Sequence, residues 1–80
     1  MKIPAIKKAV ENYSTEELKA AEEALYAEEK LQIEIDGDDE GEQLTHVLAA
    51  IWIKEDMLQK GTDFKDSLRA YTQRVRNSIS

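Results

Sequence analysis

Val47-Leu48-Ala49-Ala50-Ile51-Trp52-Ile53 is apolar on nearly every side of a helix, and its reading decides the fold. At about 100° per residue, Leu44, Val47, Leu48, Ile51 and Leu58 form one stripe, Ile53 points away from it, and Trp52 and Met57 lie on its flanks. A helix apolar all round must be buried by several neighbours. The segment from about Glu42 to Lys60 therefore reads as a third and most apolar helix. It is either the centre of the molecule or partly covered by another subunit. Gly61 follows Lys60 as a C-cap candidate.

Downstream, Thr62 or Asp63 can cap a fourth helix. Phe64, Leu68, Tyr71, Val75 and Ile79 recur at four, three, four and four residues, a clean amphipathic stripe. From Ser67 onward its charges are Arg69, Arg74 and Arg76, with no acid. Cations near a helix C-terminus oppose the negative end of its dipole, and the same arginines are expected to pair with acids, including those of residues 36–42, within or between chains.

Upstream lies the acidic loop Asp36-Gly37-Asp38-Asp39-Glu40-Gly41-Glu42, and its acids complement the dipole of the third helix. Before it, Leu31-Gln32-Ile33-Glu34-Ile35-Asp36 alternates apolar and polar, the pattern of an extended strand with one buried face. One strand cannot satisfy its own ladder. It is expected either to be an irregular connector or to pair with a second copy. Ser14-Thr15-Glu16-Glu17 is a capping box that opens a second helix, with Leu18, Ala21 and Leu25 inward and good helix formers through Lys30. Pro4 suits the first turn of an opening helix, whose face is Ile3, Ile6, Val10 and Tyr13 and which ends near Asn12.

The fold expected is all-α: one small bundle of three to four helices with a short extended segment near residues 31–35. With 80 residues the chain is a single domain, close to the size below which a core alone stabilises poorly. It has no cysteine and one histidine, so disulfides are excluded and a His-rich zinc site in one chain is disfavoured. Self-association is the remaining common remedy, and a homodimer is expected. A net charge of -6 repels phosphate backbones and anionic membranes. No nucleic-acid or membrane partner is expected. The opening Met1-Lys2-Ile3-Pro4-Ala5-Ile6-Lys7 has no long apolar core, so it reads as the start of a cytoplasmic protein rather than a signal peptide.

For chemistry, the acidic loop is the most suggestive feature. Asp36, Asp38 and Glu40 stand at the first, third and fifth positions of an EF-hand-like pattern, with Gly41 at the sixth. The pattern then fails, because Val47 stands where the bidentate glutamate belongs. These three residues are the candidate cation ligands. His46, four residues after Glu42, can meet it on one helix face, and an ion pair or a hydrogen-bonded histidine is expected there. No nucleophile with an orienting partner is apparent, and no cofactor is expected. Ile51, Trp52, Ile53 and Met57 are the candidate interface, since Trp is enriched at association hot spots; the alternative is that Trp52 fills the core of the monomer. The leading reading is a non-enzymatic interaction protein, self-associating or with a protein partner. The second reading is a metal- or ligand-binding module using residues 36–42.

Met1-Lys2-Ile3-Pro4-Ala5-Ile6-Lys7, Gly41-Glu42-Gln43-Leu44-Thr45-His46 and Tyr71-Thr72-Gln73-Arg74-Val75-Arg76 together resemble a family of small bacterial proteins of about this length. That family is classed as a domain of unknown function. The resemblance spans the whole chain. It implies a stand-alone bacterial cytoplasmic protein and brings no activity or site residues with it.

Overall fold

A computed structural model describes residues 2–79. Four helices follow in order: α1 (Ile3–Asn12), α2 (Thr15–Tyr26), α3 (Glu40–Lys60) and α4 (Phe64–Ile79). Among the described residues there is no strand. The architecture is the all-α bundle that the periodicity predicts. It is organised by α3, which packs against each of α1, α2 and α4.

The local signals act as their chemistry dictates. Pro4 sits in the first turn of α1. Both halves of the Ser14/Glu17 capping box form, at 2.9 and 3.1 Å. Asp39 caps α3 by accepting from the Glu42 N–H at 2.7 Å, so α3 starts at Glu40, one half-turn before the position read from the sequence. Gly61 ends it in the left-handed region at φ 67°, where a residue without Cβ costs least. Asp63 caps α4 through the Asp66 N–H at 2.9 Å.

Helix α2 stops at Tyr26 rather than running to Lys30. Good helix propensity is overridden here by a Schellman closure: the Glu29 N–H reaches the Ala24 carbonyl at 2.8 Å and the Glu28 N–H the Leu25 carbonyl at 3.3 Å. Glu28 takes the left-handed position at φ 57° that glycine normally fills.

The core is Ile6, Ala9 and Val10 of α1, Leu18, Ala21 and Leu25 of α2, Ile35, and Val47, Ala49, Ala50, Ile51 and Ile53 of α3. Two expected core stripes are corrected. Ile3 is 51% exposed, and Ala5 and Ala9 do its work on α1. On α3, Leu58 is 75% exposed and Leu48 37%, while Ile53, off the proposed stripe, is fully buried. Because α3 is covered by three helices, burial follows the directions of its neighbours instead of one stripe. Leu58 lies in its last turn, near Lys60. The shortest dimension, 19 Å, corresponds to about two helix layers of 10 Å each, so a central helix in such a slab keeps one side open.

Candidate interaction surface

Residues 31–36 carry the alternation that suggested a strand, and their burial follows it: Leu31 and Ile33 are half-buried, Ile35 is buried, and Gln32, Glu34 and Asp36 are exposed. Among the described residues no neighbouring strand completes the ladder. Tyr13, just after α1, and side chains of α3 supply the partners instead. Tyr13 Oη accepts from the Glu34 N–H at 3.2 Å. Gln43 Nε2 donates to the Ile35 carbonyl at 2.9 Å. Glu42 Oε1 accepts from the Asp38 N–H at 2.9 Å. His46 completes the set.

The His46 ring is fully buried. Its Nε2 accepts from the Lys2 backbone N–H at 2.9 Å, so the ring proton sits on Nδ1, which donates to the Asp36 carbonyl at 2.7 Å. One imidazole thus ties the start of α1 to the loop before α3. Of the two expected arrangements, the hydrogen-bonded histidine is the one that forms, and the His46–Glu42 ion pair does not. Both residues turn to the loop backbone, ten and four residues away in sequence. Gly37 permits the approach: a Cβ there would lie 2.8 Å from the Gln43 backbone nitrogen.

The candidate cation ligands are dispersed among neighbouring charges. Asp36 pairs with Lys8 at 3.6 Å and Asp38 with Lys2 at 3.6 Å. Glu40 lines a cleft on the far side of the loop, together with Glu28, Glu29 and Glu34. Among the described residues no three His, Cys, Asp or Glu side chains are grouped to hold a metal ion. Lys2, just before α1, and Lys8 within it, not the arginines of α4, pair with the loop acids among the described residues. Arg69 and Arg76 make no ion pair among the described residues, and Arg74 stacks 5.9 Å above the Trp52 ring.

Of the candidate interface residues, Ile51 and Ile53 are buried inside the monomer, while Trp52 and Met57 are half-buried. Trp52 meets Tyr71 of α4 with ring centroids 5.6 Å apart. Leu48, Trp52, Glu55 and Gln59 occupy about 60° of the α3 circumference, the side that remains open. Helix α4 packs principally on α3. Its stripe residues Phe64, Leu68, Tyr71 and Val75 are all half-buried.

At the α3–α4 corner a buried polar network fixes the turn. Ser67 is fully buried, and its hydroxyl lies 2.6 Å from that of Thr62. Asp56, 7% exposed, meets the Lys60 ammonium at 3.0 Å. That ammonium holds the Asp56 carboxyl below its ordinary value; burial opposes it and the Ser67 hydroxyl assists. With Ser67 donating to Asp56, Thr62 must donate to Ser67, since a hydroxyl has one proton.

Sequence reasoning overlooked the cleft at the end of α2. A signal was present in Glu28-Glu29: acids at a helix C-terminus face the wrong pole of its dipole.

No helix among the described residues is long and apolar enough to cross a membrane. No curated protein and no solved structure matches the chain. A family model does match, over residues 1–80, and the chain belongs to that family of unknown function, DUF6952.

Proposed function

We propose that the protein is a non-enzymatic cytoplasmic interaction module that works by self-association through the open side of α3 and α4. The observation that supports this reading is the state of α4. A sixteen-residue amphipathic helix normally buries its stripe, yet Phe64, Leu68, Tyr71 and Val75 all stay half-exposed. Tyr71 meets Trp52 of α3, and the exposed Leu48 lies one turn from Trp52 on the same open side. Apolar surface gathered in one place on a small protein marks an interaction site, and Trp and Tyr at its centre are the residue types that dominate association energies.

Sedimentation velocity over a dilution series tests this. The expected result is a dimer that dissociates on dilution, and a monomer at every concentration for Leu48→Glu or Val75→Glu with the helical circular dichroism unchanged. A wild-type protein that stays monomeric at millimolar concentration overturns the reading.

A further inference from the structure

Two surfaces of this chain carry opposite charge that is mostly without an ion pair among the described residues. The first is an apolar cleft of about 370 Å³ between the end of α2, the extended segment and the start of α3. Leu25, Leu31, Ile33 and Ile35 line it, and Glu28, Glu29, Glu34 and Glu40 bring four carboxylates against the single cation Lys30. Glu34 reaches Lys8 only at 3.9 Å; Glu28, Glu29 and Glu40 make no ion pair among the described residues. The adjoining Asp36, Asp38 and Glu42, by contrast, are served by Lys2 and Lys8. The second surface is α4 from Arg69 onward. Arg69 and Arg76 are likewise without an ion pair there, and no acid occurs from Ser67 onward.

The cleft is placed where its charge is costly. Glu28 and Glu29 follow the C-terminus of α2, whose last turn has no basic residue, so they add to the negative pole of the helix dipole. A cation seated in the cleft would be attracted by those carboxylates and by the negative pole of the α2 dipole together. A space of this size admits side chains rather than a whole helix. An arginine suits it, because the aliphatic stem covers apolar surface while the guanidinium reaches carboxylates at the rim.

We infer that the occupant is a second copy of this chain: arginines of α4, Arg69 and Arg76, dock on the acidic cleft of the partner, and the partner's α4 docks reciprocally. A two-fold axis makes the two contacts equivalent, so the assembly closes at two copies. This rests on the self-association proposed above and names the surfaces that meet. It also accounts for opposite charges that make no ion pair among the described residues.

The test uses four samples of the full chain: wild type, Glu29→Lys with Glu40→Lys, Arg69→Glu with Arg76→Glu, and an equimolar mixture of the two double variants. All four positions are exposed, and circular dichroism checks that each variant stays helical. Each double variant alone is expected to associate at least about tenfold more weakly than wild type, a loss of about 1.4 kcal/mol. The mixture is expected to recover association, because reversed charges on both surfaces again oppose each other. Wild-type association that survives both reversals, or a mixture that stays dissociated, overturns this inference and leaves self-association standing. A monomeric wild type overturns self-association itself.

Discussion

His46 is enclosed on all sides and works through both ring nitrogens, accepting from Lys2 and donating to Asp36. Its role is that of a backbone clasp, and the sequence hid it. One partner is 44 residues away, and both are main-chain groups that no side-chain pattern can advertise. The leucine variant His46→Leu fills comparable space but strands one donor and one acceptor. A buried group left without a partner costs about 1–3 kcal/mol, so a loss of about 2–3 kcal/mol in denaturant unfolding is expected, partly recovered by His46→Gln. A change below about 0.5 kcal/mol, the level of neutral surface substitutions, would contradict the clasp. Glu28 makes the converse case. Its left-handed backbone costs roughly 1–2 kcal/mol for a residue with a Cβ, while glycine loses more chain entropy on folding. Glu28→Gly is expected to gain a few tenths to about 1 kcal/mol. A lower melting midpoint would show that the carboxylate itself stabilises the monomer.

At the scale of elements, the helix ends marked by Pro4, Ser14, Gly61 and Asp63 were legible, because each signal acts within a turn of its own position, whereas the Asp39 cap was not read and α3 was expected to begin at about Glu42. The 31–35 segment was half legible. Alternation gave its buried face, but what satisfies its backbone depends on Tyr13 and Gln43, which reach it only once the helices have packed. The stripe on α3 failed because three neighbours, not one, decide which of its residues are buried. The corner between α3 and α4 adds a pH dependence. Asp56 has a folded value below its ordinary 3.8. Its stabilising contribution is therefore fully present above that ordinary value and is lost as pH falls through the lower, folded one. Asp56→Asn is expected to lower the melting midpoint near neutral pH, with a gap from wild type that narrows as pH falls below about 4. A gap of constant size across that range would mean that the carboxylate charge does nothing at this corner.

At the scale of the molecule, 80 residues with three helices around a fourth form a slab 19 Å thick. Such a slab is too thin to enclose α3 completely, and α4 rests mainly on one neighbour. Of the candidate interface, Trp52 and Met57 keep accessible surface, whereas Ile51 and Ile53 are spent inside the monomer. The apolar excess read from the sequence was real, but which part of it faces outward depends on where α1, α2 and α4 lie. The acidic excess divides in the same way: Asp36, Asp38 and Glu42 are met by Lys8 and Lys2, while Glu28, Glu29 and Glu40 are left facing a cleft. Self-association through the exposed remainder is the central claim. Amide chemical shifts followed by two-dimensional NMR as the protein is diluted from millimolar to micromolar test it residue by residue. Concentration-dependent shifts are predicted at Leu48, Trp52 and residues 68–76 of α4, with Ala5–Val10 of α1 unmoved. Spectra that superimpose at every concentration, or shifts confined to α1, would contradict it.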